Sequence, residues 1–146
     1  MNSFEVAADT TIYTVLSTDT TLTALLSGGT ASPSIFRYLA PEGTDPPYVV
    51  FQTQSPSVPV RVLSGVAFEN ALYTVRAVVE SKSAASAGTI AARVDTLLDG
   101  PVLSFGANYT HVGVYRVQSV DYTEQVPGGQ LLQHRGGTYR LMADPT

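Results

Sequence analysis

The chain has 146 residues and a mass of 15.5 kDa, with 44% apolar and 14% charged residues. A chain of this size hides roughly 70% of its unfolded surface on folding, so a core can form without metal or disulfide, and wholesale disorder is excluded. Eight basic against twelve acidic residues give a net charge of −4. That argues against a broad face that grips nucleic acid, because such binding neutralises phosphates.

There is no cysteine, which excludes disulfides, thiolate catalysis, zinc fingers and iron–sulfur clusters. No apolar run is long enough to span a membrane. The opening MNSFEVAADT lacks a basic segment followed by an apolar one, so no secretory leader is expected. Charge is uneven. Residues 1–73 hold two basic groups (Arg37, Arg61) against six acidic ones, whereas residues 74–146 hold six of each.

Phe4, Ala8, Ile12, Val15 and Leu16 recur close to every 3.6 residues and predict a helix over 3–17. The β-branched run Thr10 to Val15 works against it. Asp19 is placed to cap a short second helix with Leu22, Leu25 and Leu26 on one face, ended by Gly28 and Gly29. Ile35 to Leu39 reads as a short strand. APEGTDPP at 40–47 is a loop, and Tyr48 to Gln54 is a strand dense in Val, Tyr and Phe.

Residues 55–70 alternate at Val58, Val60 and Val62. Pro56 and Pro59 keep them out of a sheet interior, so they are expected to form an edge strand or a projecting arm. Ala71 to Glu80 is a strand with apolar groups on both faces. Residues 83–99 are a helix with Ala84, Ala87, Ile90, Ala91, Val94, Leu97 and Leu98 on one stripe. Ser83 is placed to cap it, and Asp99-Gly100-Pro101 to stop it. Val112 to Thr123 and Leu131 to Ala143 form a hairpin about Val126-Pro127-Gly128-Gly129, where Pro-Gly fits a type II turn. Gly136-Gly137 inside the last strand signals a bulge or a close backbone approach.

Catalytic chemistry is sparse. His111 and His134 could approach each other across the hairpin, with Asp121 or Glu124 nearby, but a metal site needs three or four convergent ligands. The plainer reading makes both exposed. Asp95 and Asp99 sit on the solvent flank of the second long helix and read as surface charge. No phosphate loop, nucleophile elbow or HExxH appears. Tyrosines interleaved with arginines over 109–122 and at Tyr139-Arg140 read as strand packing rather than a nucleic-acid platform.

The element order carries a resemblance. The stretch Leu16 to Leu26 (LSTDTTLTALL), the tract Pro47-Tyr48-Val49-Val50-Phe51-Gln52, the strand Tyr73 to Glu80, the helix Ser86 to Gly100 and the closing Gly137-Thr138-Tyr139-Arg140-Leu141 resemble the tail-completion or tail-terminator proteins of long-tailed bacteriophages and phage-like particles. The resemblance implies an α+β fold: a mixed, mainly antiparallel sheet packed against two main helices, with a long projecting loop or β-arm and a C-terminal β-hairpin. All of it would lie in one domain, 1–146, with the arm at 55–70.

It also implies a structural virion protein with no enzymatic activity and no cofactor. Six copies would form a ring at the head-proximal end of the tail tube, stop tube growth and dock the tail to the head connector. The expected partners are copies of itself, the tail-tube protein and the connector or stopper protein, with no membrane. DNA would pass through the lumen without specific binding. The alternatives are a head–tail stopper, a tail-tube subunit, or a small non-viral ligand-binding protein. Val58, Val60, Arg61, Val62 and Leu63 in the arm, with Leu131 and Leu132 at the start of the last strand, are the candidate partner-interface residues.

Overall fold

The computed structural model describes residues 3–55, 57–80, 82 and 84–146. The elements run α1 (Ser3–Thr18), α2 (Thr20–Thr23), β1 (Ile35–Arg37), β2 (Tyr48–Ser55), β3 (Val60–Val62), β4 (Gly65–Glu80), α3 (Ala84–Leu98), β5 (Tyr109–Gln125) and β6 (Leu131–Pro145). The architecture is the α+β fold that the sequence led us to expect. Sheet order is β1-β2-β4-β6-β5, with β3 paired to β4 off that path. Among the described residues, only β1 and β2 run parallel. The other pairs are antiparallel.

Both long helices cover one face of this sheet. On α1, Phe4, Ala8, Ile12 and Leu16 are completely buried at i,i+4 spacing. The β-branched run is accommodated because its hydroxyls bond back into the structure. Thr10 donates to the Val6 carbonyl, and Thr11 donates to Ser104 O at 2.8 Å. On α3, Ala87, Ile90, Val94 and Leu98 are buried, while Leu97 packs at the margin. These stripes meet Val49 and Phe51 of β2, alternate residues of β4 from Ala71 to Val79, and Tyr139, Leu141 and Ala143 of β6.

Asp19 accepts from Leu22 N at 2.8 Å, as an N-cap should, and also holds Arg93 of α3 through two guanidinium bonds of 2.9 and 2.6 Å. One carboxylate therefore starts α2 and ties it to α3. The Arg93 hydrogen bonds are the main reason the Asp19 carboxyl lies below its usual range. Ser83, the expected cap of α3, lies outside the described residues. Its stop signal is in place: Gly100 has φ +103°.

The β5–β6 turn has Gly128 at φ +98° and a Gly129 N–H bond to Val126 O, as a type II turn requires. The Gly136-Gly137 signal resolves as a close approach. The bulges fall on the neighbouring strand instead, at His111/Gly113 and Arg116/Gln118 of β5. An edge strand of 17 residues is thereby kinked twice, which blunts it as a template for unwanted pairing.

Candidate assembly interface

Residues 57–70 form a two-stranded ribbon. Val60 faces Phe68, Arg61 faces Val66 and Val62 faces Gly65. Val58 N donates to Asn70 O at 2.8 Å, so the ribbon continues the line of β4. Pairing of β4 with β6 begins only at Glu69–Ala143. The last rung of the ribbon, Val62–Gly65, lies four residues further along, about 13 Å at strand rise, and Leu63 sits in the turn beyond it. The base is fixed: Ser57 N donates to Glu5 Oε1 of α1 at 3.1 Å, and Ser57 Oγ donates to Glu69 at 2.6 Å. Between the two sequence-level options, edge strand or arm, the ribbon combines both: β3 is a short outer strand and its tip projects.

Its apolar residues face water. Val58 is 58% exposed, Val62 54% and Val66 37%, and Leu63 at the tip is fully exposed. Arg61 is exposed as well, and Val60 is half-buried. An isolated two-stranded ribbon is marginally stable in water, and exposed aliphatic groups on one mark a contact surface.

Leu131 and Leu132 do not join this patch. They pair near Gln125 and Glu124 at the opposite end of the sheet, eleven rungs from Glu69, roughly 35 Å away. Leu131 is half-exposed and Leu132 is buried. The candidate residues thus lie at two separate ends of the sheet, and Leu132 offers little surface.

The histidines are also apart. His134 stands opposite Tyr122 and His111 opposite Ala143, nine rungs away along β6, roughly 30 Å. No His pair forms, and the expectation that both are exposed fails for His134, which is buried. Arg76 Nε donates to His134 Nδ1 at 3.1 Å, which leaves the proton on Nε2, 3.4 Å from Glu124, and the ring stacks on Tyr122 at 4.4 Å. Burial pulls its pKa below the ordinary histidine value, against the opposing Glu124 hydrogen bond. Among the described residues, no group of three or more His, Asp or Glu is arranged to hold a metal ion.

Asp95 and Asp99 are not idle surface charges. Asp95 accepts from the buried Tyr139 hydroxyl at 3.0 Å and lies 3.4 Å from Arg116 Nη1, while Asp99 accepts from Arg116 N. Together they latch α3 onto β5 and β6. Asp9 does the same for α1, taking the Tyr73 hydroxyl at 2.6 Å with Arg37 in contact at 2.5 Å. The Arg37 Nε–H is not aligned for a hydrogen bond there, so that contact is a charge pair. Burial, then the carboxylate partner, raises both tyrosine hydroxyls far above their usual pKa.

Sequence reasoning missed an apolar groove of about 450 Å³ beside α1. Its lining includes Ala7, Thr10, Thr14, Val15, Phe105 and Gly106. The Thr10 hydroxyl is turned to the Val6 carbonyl and the Thr11 hydroxyl to Ser104, so both leave mainly their methyl groups to the groove. The signal was present as threonines on a helix flank, but their polarity in sequence hides it.

The sequence matches the family described as Tail completion protein gp17 over residues 10–134. The chain belongs to that family. The match takes in the Leu16 to Leu26 stretch, the Pro-Tyr-Val-Val tract, the β4 strand and α3, and stops short of the closing Gly137 to Leu141 segment. The chain is thus a structural tail protein. Its fold is similar to that of a chain in the virion of the native gene transfer agent (GTA) particle, with a TM-score of 0.75 at 17% identity over 99% of both chains. A second solved structure resembles it at a TM-score of 0.55 and 12% identity over 94% of both chains. No curated protein matches the sequence.

Proposed function

We propose that this tail completion protein closes into a ring of six copies at the head-proximal end of the tail tube. There it ends tube growth and docks the tail to the head connector, and it carries no enzymatic activity. The observation that carries the reading is the arm: a family member built for tail assembly extends a ribbon with exposed Val62, Leu63 and Val66 past the end of its own β4–β6 pairing, and Val58 is exposed at its base. Buried against a partner, each contributes about 1.5–3 kcal/mol before ordering costs. One arm gives a weak contact. Repetition around a closed ring makes the assembly stable, so the free chain should be monomeric or weakly associated.

The other partners follow from the position in the tail: the tail-tube protein on one side, the connector or stopper on the other, and DNA passing through the lumen. A chain of net charge −4 does not hold passing phosphates.

The test is Val62→Asp with Leu63→Asp. Both side chains are exposed, so circular dichroism and melting should match the unaltered chain. Particles carrying the variant should have tails that fail to join heads or have abnormal length. Normal infectious particles would defeat the reading. Long axial filaments of the unaltered chain would make it a tube subunit instead.

A further inference from the structure

We infer that the groove beside α1 is the seat of the neighbouring copy's arm tip, an inference that rests on the ring reading above. The arm cannot fill its own groove. Backbone pairing from Val58 to Gly65 holds it in line with β4, and its base is pinned to Glu5 in the first turn of α1. The turn that carries Leu63 then begins about 13 Å past the first β4–β6 rung, while the groove lies back along α1 beside the 104–106 segment. Each chain therefore carries a knob and a hole on different surfaces. Contacts of that kind are heterologous: they repeat in one direction and close into a ring when the rotation per step allows.

The two surfaces match in chemistry. The tip offers Val62 and Leu63, both uncharged and exposed. The groove is lined by small and apolar groups, with no ionisable side chain among Ala7, Thr10, Thr11, Thr14, Val15, Ser104, Phe105 and Gly106. Its volume of about 450 Å³ takes two aliphatic side chains. A second apolar hollow lined by Val6, Phe105 and Tyr109 continues it past Ala7, so a ribbon can lie along the surface rather than only touch it.

The area explains why a ring is needed. Four aliphatic side chains present roughly 250–500 Å² of apolar surface. A standard stable interface takes about 800 Å² from each partner. A single arm in a single groove therefore does not hold a dimer, whereas a closed ring gives every copy two such contacts.

The absence of native cysteine makes the test clean. Leu63→Cys is combined in turn with Ala7→Cys, Thr10→Cys and Thr14→Cys, so that a small offset in seating cannot hide the contact. Leu63→Cys with Gln54→Cys, on the opposite sheet face, is the control. Tails are isolated, oxidised and run without reductant. The expected result is a ladder of covalent multimers up to the ring size for at least one groove position and none for the control. Rings visible in averaged images without any groove cross-link would overturn the inference and leave the ring reading standing. Covalent dimers alone would overturn it in favour of a two-fold contact. Tails of the unaltered chain without a ring would remove both.

Discussion

Gly136 of β6 lies against the backbone of Val75 on β4 so closely that a Cβ would come within 2.0 Å of the Val75 carbonyl oxygen and 2.7 Å of the Arg76 Cα. These are backbone atoms in the centre of the sheet and cannot step aside as a side-chain tip can. The glycine lets β4 and β6, which share twelve rungs from Glu69 to Glu80, approach in register.

Gly136→Ala should therefore destabilise the protein by at least about 2–3 kcal/mol, the upper range for overpacking. Gly88→Ala on α3 is the contrast. There the nearest atom is Arg135 Nη1 at 3.1 Å, the end of an exposed, flexible side chain. Helix propensity should then raise stability by about 0.5–1 kcal/mol. Urea unfolding of the two variants checks both signs, and equal effects would refute the distinction.

Tyr139→Phe removes the hydroxyl that Asp95 of α3 receives at 3.0 Å. The expected loss is about 1–2 kcal/mol, the scale of a hydrogen bond to a half-exposed carboxylate. Tyr115→Phe, on the exposed edge strand, should change stability by less than about 0.5 kcal/mol. Chemical denaturation separates them, and a Tyr139 variant as stable as the Tyr115 variant would show that the α3 latch contributes nothing.

His134 gives a pH dependence with a definite sign. Burial lowers its pKa in the folded chain. As pH falls below about 6.5, the unfolded chain takes a proton that the folded one resists, so stability drops until the folded pKa is reached. Protonation would also break the bond from Arg76 Nε and place two cations together, which the Glu124 carboxylate offsets only in part. The denaturation midpoint should fall between pH 7.5 and 5.5. His134→Gln should flatten that slope without abolishing it, because burial lowers His111 as well. Identical slopes with and without His134 would contradict the assignment.

The periodicities of α1 and α3 are legible because a helix stripe is a local property, and their buried apolar residues are among those the spacing picks out, whereas the buried Thr11 is not. The cap at Asp19 was legible for the same reason. Its second role was not, because Arg93 lies 74 residues away. Asp95 and Asp99 look like surface charge in the sequence because a helix flank is solvated in isolation; Tyr139 and Arg116 arrive from strands folded against it. The sequence names Leu131 and Leu132 as candidate interface beside the arm residues, and the eleven rungs that separate Leu132 from the arm's base cannot be counted until strand pairing is known.

The sequence by itself determined the kind and order of the main elements, where prolines bar a sheet interior, and which family the pattern resembles, although it begins the central strand at Ala71 where β4 starts at Gly65, and carries the second helix to Leu26 where α2 ends at Thr23. Each of these is written in neighbouring residues. Tertiary structure decided that β4 lies between β2 and β6, that β5 is the exposed edge, that the arm tip projects beyond the β4–β6 pairing, and that threonines on α1 line an apolar groove. Those features depend on the register between segments tens of residues apart and on which hydroxyls find carbonyl partners. Only the folded arrangement of the whole chain fixes them.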